Sequence, residues 1–121
     1  MYFGMKHSTF NYIRTHRQRH ALTEEELAFL INQRSRSAVS LIETGDRSPT
    51  LETILAFEIV FGTPPRELFP EVFEHVEDSL MRRAWVLYDR LEGKDDARSR
   101  AKRELFERMA KGLHQDSARS A

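Results

Sequence analysis

The sequence predicts an all-α protein. Strand patterns are nearly absent from its 121 residues, whereas apolar residues recur at spacings of three and four along most of the chain. The composition agrees, with 40% hydrophobic residues, 31% charged residues, five glycines and four prolines. A chain of this length accommodates one domain with a modest core and an appended element.

The first two predicted helices are short. Residues 10–19 form the first, with Phe10 and Ile13 on its inner side. The second, which ends near residue 31, follows a capping box, in which Thr23 accepts a backbone N–H bond and Glu26 reaches back to it. Three acidic residues in its first turn also favour the positive end of the helix dipole.

A third helix follows the polar turn at residues 32–34. Ser35 is suited to begin it and Gly45 to end it. Its only large apolar side chains that face inward are Val39 and Ile42. The outer face is therefore a row of hydrogen-bonding groups with little to pack against.

The next two helices predict the rest of a core. Thr50 caps a fourth helix that is apolar on nearly all sides, as a central core helix would be. Gly62 ends it, Pro64 and Pro65 begin a short fifth helix, and Leu68 closes the domain.

Beyond Pro70 the pattern changes to a helix of about 20 residues with a wide apolar face. One stripe consists of Val72, Val76, Leu80, Ala84, Leu87 and Leu91, and an adjacent one of Phe73, Met81, Trp85 and Tyr88. After a break at Gly93, Asp95 is suited to cap a last helix. Residues 114–121 predict a disordered tail.

Five short motifs occur in a fixed order in the first half of the chain. They are IRxxR at 13–17, LTxxELA at 22–28, VSxIExG at 39–45, PxLxT at 49–53 and ELF at 67–69. In these motifs the chain resembles the XRE/Cro-type family of bacterial and phage helix-turn-helix regulators. The resemblance implies a five-helix Cro/repressor-type domain followed by one or two C-terminal amphipathic helices. It also implies a transcriptional regulator, repressor-like, that binds double-stranded DNA with its third helix in the major groove.

The resemblance also implies roles for individual residues. By register with the family, the base-reading side chains are Arg36, Ser37, Ser40 and Leu41. The side chains expected to contact phosphates are Thr23, Arg34, Thr44 and Arg47. Arg17 and Glu43 match a family pair that ties the first helix to the third by an ion pair.

The chain departs from the family pattern at three places. The glutamine that usually begins the second helix and touches phosphate is Glu24. The usual glycine between the first two helices is Ala21, a residue that disfavours positive φ. The turn at 32–34 is a residue longer than the common form, which leaves two registers open for the third helix.

The implied organisation is an N-terminal extension (1–9), a DNA-binding domain (10–70), a C-terminal helical extension (71–113) and a tail (114–121). Because one helix-turn-helix contacts few base pairs, the family implies a homodimer on two half-sites. The expected dimer or partner interface is Val72, Val76, Leu80, Leu87 and Leu91. The same stripe could instead fold back onto its own domain. The alternative function is a protein-interaction module, such as an antitoxin whose C-terminal helices bind a partner protein.

Other function classes find little support. Net charge is zero, with 19 basic and 19 acidic residues, but residues 1–22 contain four basic residues and no acidic one. There is no apolar run long enough to cross a membrane, and the absence of cysteine fits a reducing cytoplasm. His16 and His20 lack a third ligand at suitable spacing, so no metal and no cofactor is expected. No nucleophile elbow or phosphate-binding loop indicates an enzyme.

Overall fold

The computed structural model describes residues 10–120, with side chains through Gly112. Helices are the only regular secondary structure in this range. The helices are α1 (Ile13–Arg19), α2 (Glu24–Leu30), α3 (Arg36–Thr44), α4 (Leu51–Phe61), α5 (Pro65–Leu68), α6 (Pro70–Asp89) and α7 (Ala97–Ser120). The all-α prediction, with a helix-turn-helix unit followed by C-terminal helices, is confirmed. None of the described helices is both long and apolar enough to cross a membrane. The predicted N-terminal extension, 1–9, lies outside the described residues.

The chain divides into two compact units, one through His75 and the other from Val76 onward. In the first unit, α1 to α5 each contribute to one apolar core. Its buried residues are Ile13, Leu27, Ala28, Ile31, Val39, Ile42, Phe57, Phe61, Leu68 and Phe69. Burial of each large side chain contributes roughly 1.5–3 kcal/mol, so this core is the main source of stability in the unit.

The first three helices end in the same kind of turn. In each, a residue one or two positions past the helix takes positive φ: Ala21 (59°), Asn32 (60°) and Gly45 (86°). The following N–H then bonds back to a carbonyl five residues earlier, as in the 3.1 Å bond from Leu22 N to Arg17 O. These Schellman motifs satisfy the last carbonyls of each helix and turn the chain sharply into the next one.

The prediction that α4 is buried on nearly all sides is wrong. Thr53, Phe57 and Phe61 face the core, but Leu51, Leu55 and Ile59 are 69%, 49% and 82% exposed. These three residues lie four apart and therefore share one face of the helix. The core covers only the opposite face, and apolar composition alone does not say which face of a helix has a neighbour.

The second unit has few buried side chains. Among its described side chains, only Ala84, Leu91 and Ser99 are buried. Arg103 of α7 holds the loop between α6 and α7 by donating to the carbonyls of Leu91 (3.0 Å) and Lys94 (2.7 Å).

The cap of α7 is Asp96, so the prediction of Asp95 is wrong by one residue. Asp96 accepts from the backbone N–H of Ser99 (3.2 Å) and from its hydroxyl (2.7 Å), and these bonds lower the pKa of the Asp96 carboxyl. The helix continues through Ser120, over residues where the sequence predicts a disordered tail. No proline interrupts the segment from Ala97 to Ser120, so its backbone lacks a strong helix-breaking residue.

Candidate nucleic-acid interface

Helix α3 has one anchored face and one open face. Ala38, Val39 and Ile42 are buried against the core of the first unit. Of the four predicted base readers, Arg36 and Ser37 are exposed, while Ser40 and Leu41 are partly buried at the edge of the open face. The helix therefore presents a guanidinium and hydroxyl groups on the side that the core does not use.

Arg17 and Glu43 form a bidentate ion pair between α1 and α3. The guanidinium of Arg17 donates to the two carboxylate oxygens of Glu43 at 2.5 and 3.1 Å, and its third nitrogen donates to Leu22 O at 3.0 Å. The Glu43 side chain is fully buried, and its hydrogen bond raises the pKa of Arg17. The pair fixes the orientation of α3 relative to α1.

Arg14 shares the same carboxylate, a contact that the sequence did not single out. Its Nε lies 3.3 Å from Glu43 Oε1, and its side chain is 54% exposed. Two guanidinium groups therefore face one carboxylate, so the cluster keeps one positive charge. Arg14 is the most exposed of the three side chains in this cluster.

Asn11 is a structural residue that sequence reasoning missed. Its side-chain oxygen accepts from Ile13 N at 3.0 Å, and its side-chain nitrogen donates to Ile42 O at 2.8 Å. The first bond supports the start of α1, and the second ties that start to the end of α3. An asparagine two residues before a helix is a recognisable capping signal, but nothing local indicates the bond to Ile42.

The turn between α2 and α3 is held by α4. Gln33 donates from its side chain to the hydroxyl of Thr53 at 3.3 Å, and Thr53 also receives the hydroxyl of Thr50 at 3.1 Å. Thr53 is buried, so the extra length of the turn is fixed at its middle residue. With the turn held in this way, Ser35 occupies the N-cap position of α3, although its hydroxyl forms no capping bond.

The acidic residues of α2 are largely engaged within the chain. The predicted capping box is confirmed: Thr23 Oγ1 accepts from Glu26 N at 3.0 Å, and Thr23 N donates to Glu26 Oε1 at 2.9 Å. Glu24 acts electrostatically on Arg17, whose pKa it helps to raise. The position that departs from the family pattern therefore has a basic neighbour inside the protein.

A groove of about 430 Å³ lies at the amino end of α3. Arg34, Ser35 and Arg36 line it together with Glu25 and Phe29 of α2. The groove places two of the predicted DNA contacts, Arg34 and Arg36, on one surface. Glu25 is the one acidic group in its lining.

The other predicted phosphate contacts differ in availability. Arg47 is exposed, and the hydroxyl hydrogen of Thr23 is not used by its capping bond. Thr44 is engaged inside the chain, since its hydroxyl lies 2.8 Å from Asp46 Oδ2 and 3.1 Å from Leu41 O. Because a hydroxyl has one hydrogen, Thr44 has none left for a phosphate in this conformation, and the Asp46 carboxylate beside it would repel one.

The predicted interface residues on α6 and after it fall into two groups. Val76, Leu80 and Leu87 are each about half exposed. Val72 packs against the core of the first unit, and Leu91 is buried in the second unit. Leu91 is thus already used within the chain, which leaves Val76, Leu80 and Leu87 as the open part of the predicted stripe.

The two histidines of α1 pack beside an aromatic ring. The ring centroids of His16 and His20 lie 5.5 and 6.1 Å from that of Phe61. Burial, with Arg19 and His20 nearby, lowers the pKa of His16. No group of three metal-binding side chains occurs among the described residues.

A family model described as helix-turn-helix matches residues 13–68, the segment that contains α1 to α5. No curated protein and no solved structure matches the chain.

Proposed function

Because this chain belongs, through residues 13–68, to the XRE family of helix-turn-helix DNA-binding regulators, we propose that it is a homodimeric, sequence-specific repressor. The observation that carries the proposal is the division of α3 into a face fixed by Val39, Ile42 and Glu43 and an open face that begins with Arg36 and Ser37. A helix held this firmly, with polar groups outward, suits entry into a major groove.

In this proposal the open face reads bases. Arg36 donates two hydrogen bonds to a guanine edge, a contact worth about 1–3 kcal/mol of discrimination. Ser37 and Ser40 donate to or accept from base edges, and Leu41 packs on a thymine methyl group.

Phosphate contacts fix the register of α3 on the duplex. We assign Arg34, Arg47 and Thr23 to this role, together with the backbone N–H groups at the start of α3. Arg14 adds positive charge next to Glu43 of α3, because that carboxylate is shared with Arg17. Thr44 joins them only if its hydroxyl leaves Asp46.

Dimerisation provides a second DNA-binding unit, which contacts the second half-site. Residues 10–70 bind DNA, and residues 71–113 pair with a second copy or a partner protein, with Val76, Leu80 and Leu87 at the dimer seam. A second copy of the chain can cover this apolar seam. Two DNA-binding units linked in this way bind DNA more tightly than one unit alone. Repression follows from occupancy of the operator, and the protein acts in the cytoplasm on the chromosome.

The proposal is tested by selecting bound sequences from random genomic fragments and measuring affinity by fluorescence anisotropy at moderate salt. We expect a selected site with two half-sites about one DNA turn apart and an affinity at least a thousandfold above random DNA. Micromolar or weaker binding without sequence preference would contradict the proposal. Arg36→Ala, carried through the same selection, should lose preference at one base position in each half-site.

A second candidate function is a protein-interaction module of the antitoxin kind. It is favoured by the width of the apolar surface on α6, where Trp85 and Val86 are exposed in addition to the seam. Affinity purification from the native host separates the two functions. A stoichiometric protein partner bound to residues 71–113 supports the module, and recovery of self-pairs alone removes it.

A further inference from the structure

The second unit contains a groove that the proposed dimer seam does not use. Met81, Trp85, Tyr88, Phe106, Glu107 and two alanines line it, and its volume is about 360 Å³. Trp85 lies nine residues after Val76, which at 100° per residue places it about 180° around α6 from that seam residue, whereas Ala84, which belongs to the same stripe as Val76, also lines the groove. The volume is near the lower end of ligand sites, which span roughly 300–1,000 Å³.

One wall of the groove is a pair of stacked aromatic rings. The centroids of Trp85 and Tyr88 lie 5.8 Å apart with 12° between the ring planes. Trp85 is nevertheless 66% exposed, although an indole is among the most favourable groups to bury. Tyr88 thus supports the indole, and the exposed part of Trp85 offers a flat apolar surface to a flat ligand.

A carboxylate provides the polar group of the groove. Tyr88 donates its hydroxyl hydrogen to Glu107 Oε2 at 2.8 Å, which holds the carboxylate beside the aromatic wall. Within the described part of the chain, Glu107 Oε1 accepts no hydrogen bond. Arg103, one turn earlier on α7, is directed to the carbonyls of Leu91 and Lys94. The negative charge of Glu107 thus stays available at the groove.

We propose that this groove binds a flat organic cation, which stacks on the exposed indole of Trp85 and places its positive charge against Glu107. Aromatic faces attract cations through the ring quadrupole, and the carboxylate adds a direct charge interaction. A neutral molecule of the same shape gains the stacking alone, and an anion meets the Glu107 charge. This site is separate from the proposed DNA-binding face and does not require it.

The protein contains one tryptophan, so a single indole N–H resonance reports on the groove. The probes are 1-methylquinolinium, a flat cation, and 4-methylquinoline, which has nearly the same shape and is uncharged at pH 8. Titrated into ¹⁵N-labelled protein without DNA, the cation should shift the Trp85 indole resonance saturably. We expect it to bind about tenfold more tightly than the neutral probe.

Two matched variants isolate the carboxylate. Glu107→Gln keeps an oxygen that accepts from Tyr88 but removes the charge, so it should abolish the tenfold preference. Glu104→Gln removes the same charge from an exposed residue of α7 outside the lining and should retain the preference. Equal binding of the two probes to the wild type, a preference that survives in Glu107→Gln, or no saturable shift at millimolar probe would each overturn the proposal.

The same spectra distinguish a ligand from a second copy of the chain. If protein dilution alone moves the Trp85 resonance and neither probe binds, the groove is occupied by another protomer and the proposal is overturned. Leu80→Asp, which changes only the proposed dimer seam, should bind 1-methylquinolinium as the wild type does. Failure of the dimer proposal therefore leaves this test intact.

Discussion

Ala21 holds a backbone conformation that glycine adopts without steric cost. Its φ is 59°, its side chain is exposed, and it stands where the family pattern has glycine. A left-handed conformation costs an alanine roughly 1 kcal/mol. We therefore expect Ala21→Gly to raise the free energy of unfolding by about 0.5–1 kcal/mol in urea denaturation, the remainder being offset by the greater freedom of glycine in the unfolded chain.

Asn32 provides the matched control, because it ends α2 with φ of 60°. Asparagine tolerates this conformation better than alanine does, so Asn32→Gly should gain less than Ala21→Gly. An Ala21→Gly variant less stable than the wild type would show that the positive φ of Ala21 is not strained.

Glu43 carries a buried negative charge that contributes to the stability of the first unit. Its buried carboxylate receives two hydrogen bonds from Arg17 and one from Arg14. Glu43→Gln removes the carboxylate that is hydrogen-bonded to the Arg17 guanidinium in a largely buried position, and we expect a loss of about 3 kcal/mol in the free energy of unfolding. Thermal and urea denaturation measure it.

Arg14→Gln is the control for this variant, since it breaks an exposed ion pair to the same carboxylate. It should cost less than about 1 kcal/mol. Equal losses in the two variants would indicate that Glu43 acts through total charge rather than through its bidentate pair with Arg17.

His16 makes the stability of the first unit depend on pH. Burial, Arg19 and His20 lower its pKa below the usual 6.5, so the folded protein binds this proton less readily than the unfolded chain. Its contribution is therefore complete above pH 6.5 and is lost as the pH falls from there through the lowered value. His16→Gln should flatten the fall in unfolding free energy between pH 7 and pH 5, and an unchanged slope would assign that fall to other groups.

At the scale of elements, we expect the exposed residues of α3 and of the loop after it to make two kinds of contact with DNA. Arg36→Ala should cost about 1–3 kcal/mol at the selected site and relax specificity at one base position. Arg47→Ala, just beyond the helix, should weaken binding to all sequences alike and reduce the salt dependence by about one unit. Anisotropy titrations against the selected site and a scrambled site at several salt concentrations measure both. If the two variants behave identically, the division into base readers and phosphate contacts is wrong.

Local signals were sufficient to predict much of the helix-turn-helix unit. The capping box at Thr23 and Glu26, the inward pair Val39 and Ile42, and the end of α3 at Gly45 each depend on residues within a few positions of one another. Such short-range patterns determine helix ends and helix faces. They therefore predict elements well before any packing is known.

Contacts between distant segments account for what the sequence did not reveal. Asn11 bonds to Ile42, 31 residues away, and Gln33 to Thr53, 20 residues away. The exposed stripe of α4 depends in the same way on which helices lie across from it. Thr44 differs, since its partner Asp46 is only two residues away. The resemblance to the family assigns Thr44 to a phosphate and takes no account of the local bond to Asp46.

At the scale of the whole molecule, the two units differ in how many of their apolar side chains they bury. The first unit builds a core from five helices, whereas the second leaves Val76, Leu80 and Leu87 about half exposed. We expect Leu80→Asp to convert a dimer into a monomer in sedimentation analysis, because a carboxylate would be buried in an apolar seam. Affinity for the two-half-site operator should fall about a hundredfold through the loss of two-site engagement.

Arg82→Asp is the matched control, since it places the same side chain at an exposed polar position of α6. It should leave both the dimer and the operator affinity nearly unchanged. A wild type that sediments as a monomer at micromolar concentration would remove the basis for the seam.

The proposed function requires the outer face of α3 to enter the DNA groove. The chain has no cysteine, so Ser37→Cys on that face and Glu58→Cys on the exposed side of α4 each carry one thiol. The direct measurement is the rate at which iodoacetamide alkylates each thiol, with and without saturating operator DNA. We expect DNA to slow alkylation of Ser37→Cys at least tenfold and to leave the rate for Glu58→Cys unchanged. Equal rates at Ser37→Cys with and without bound DNA would contradict it.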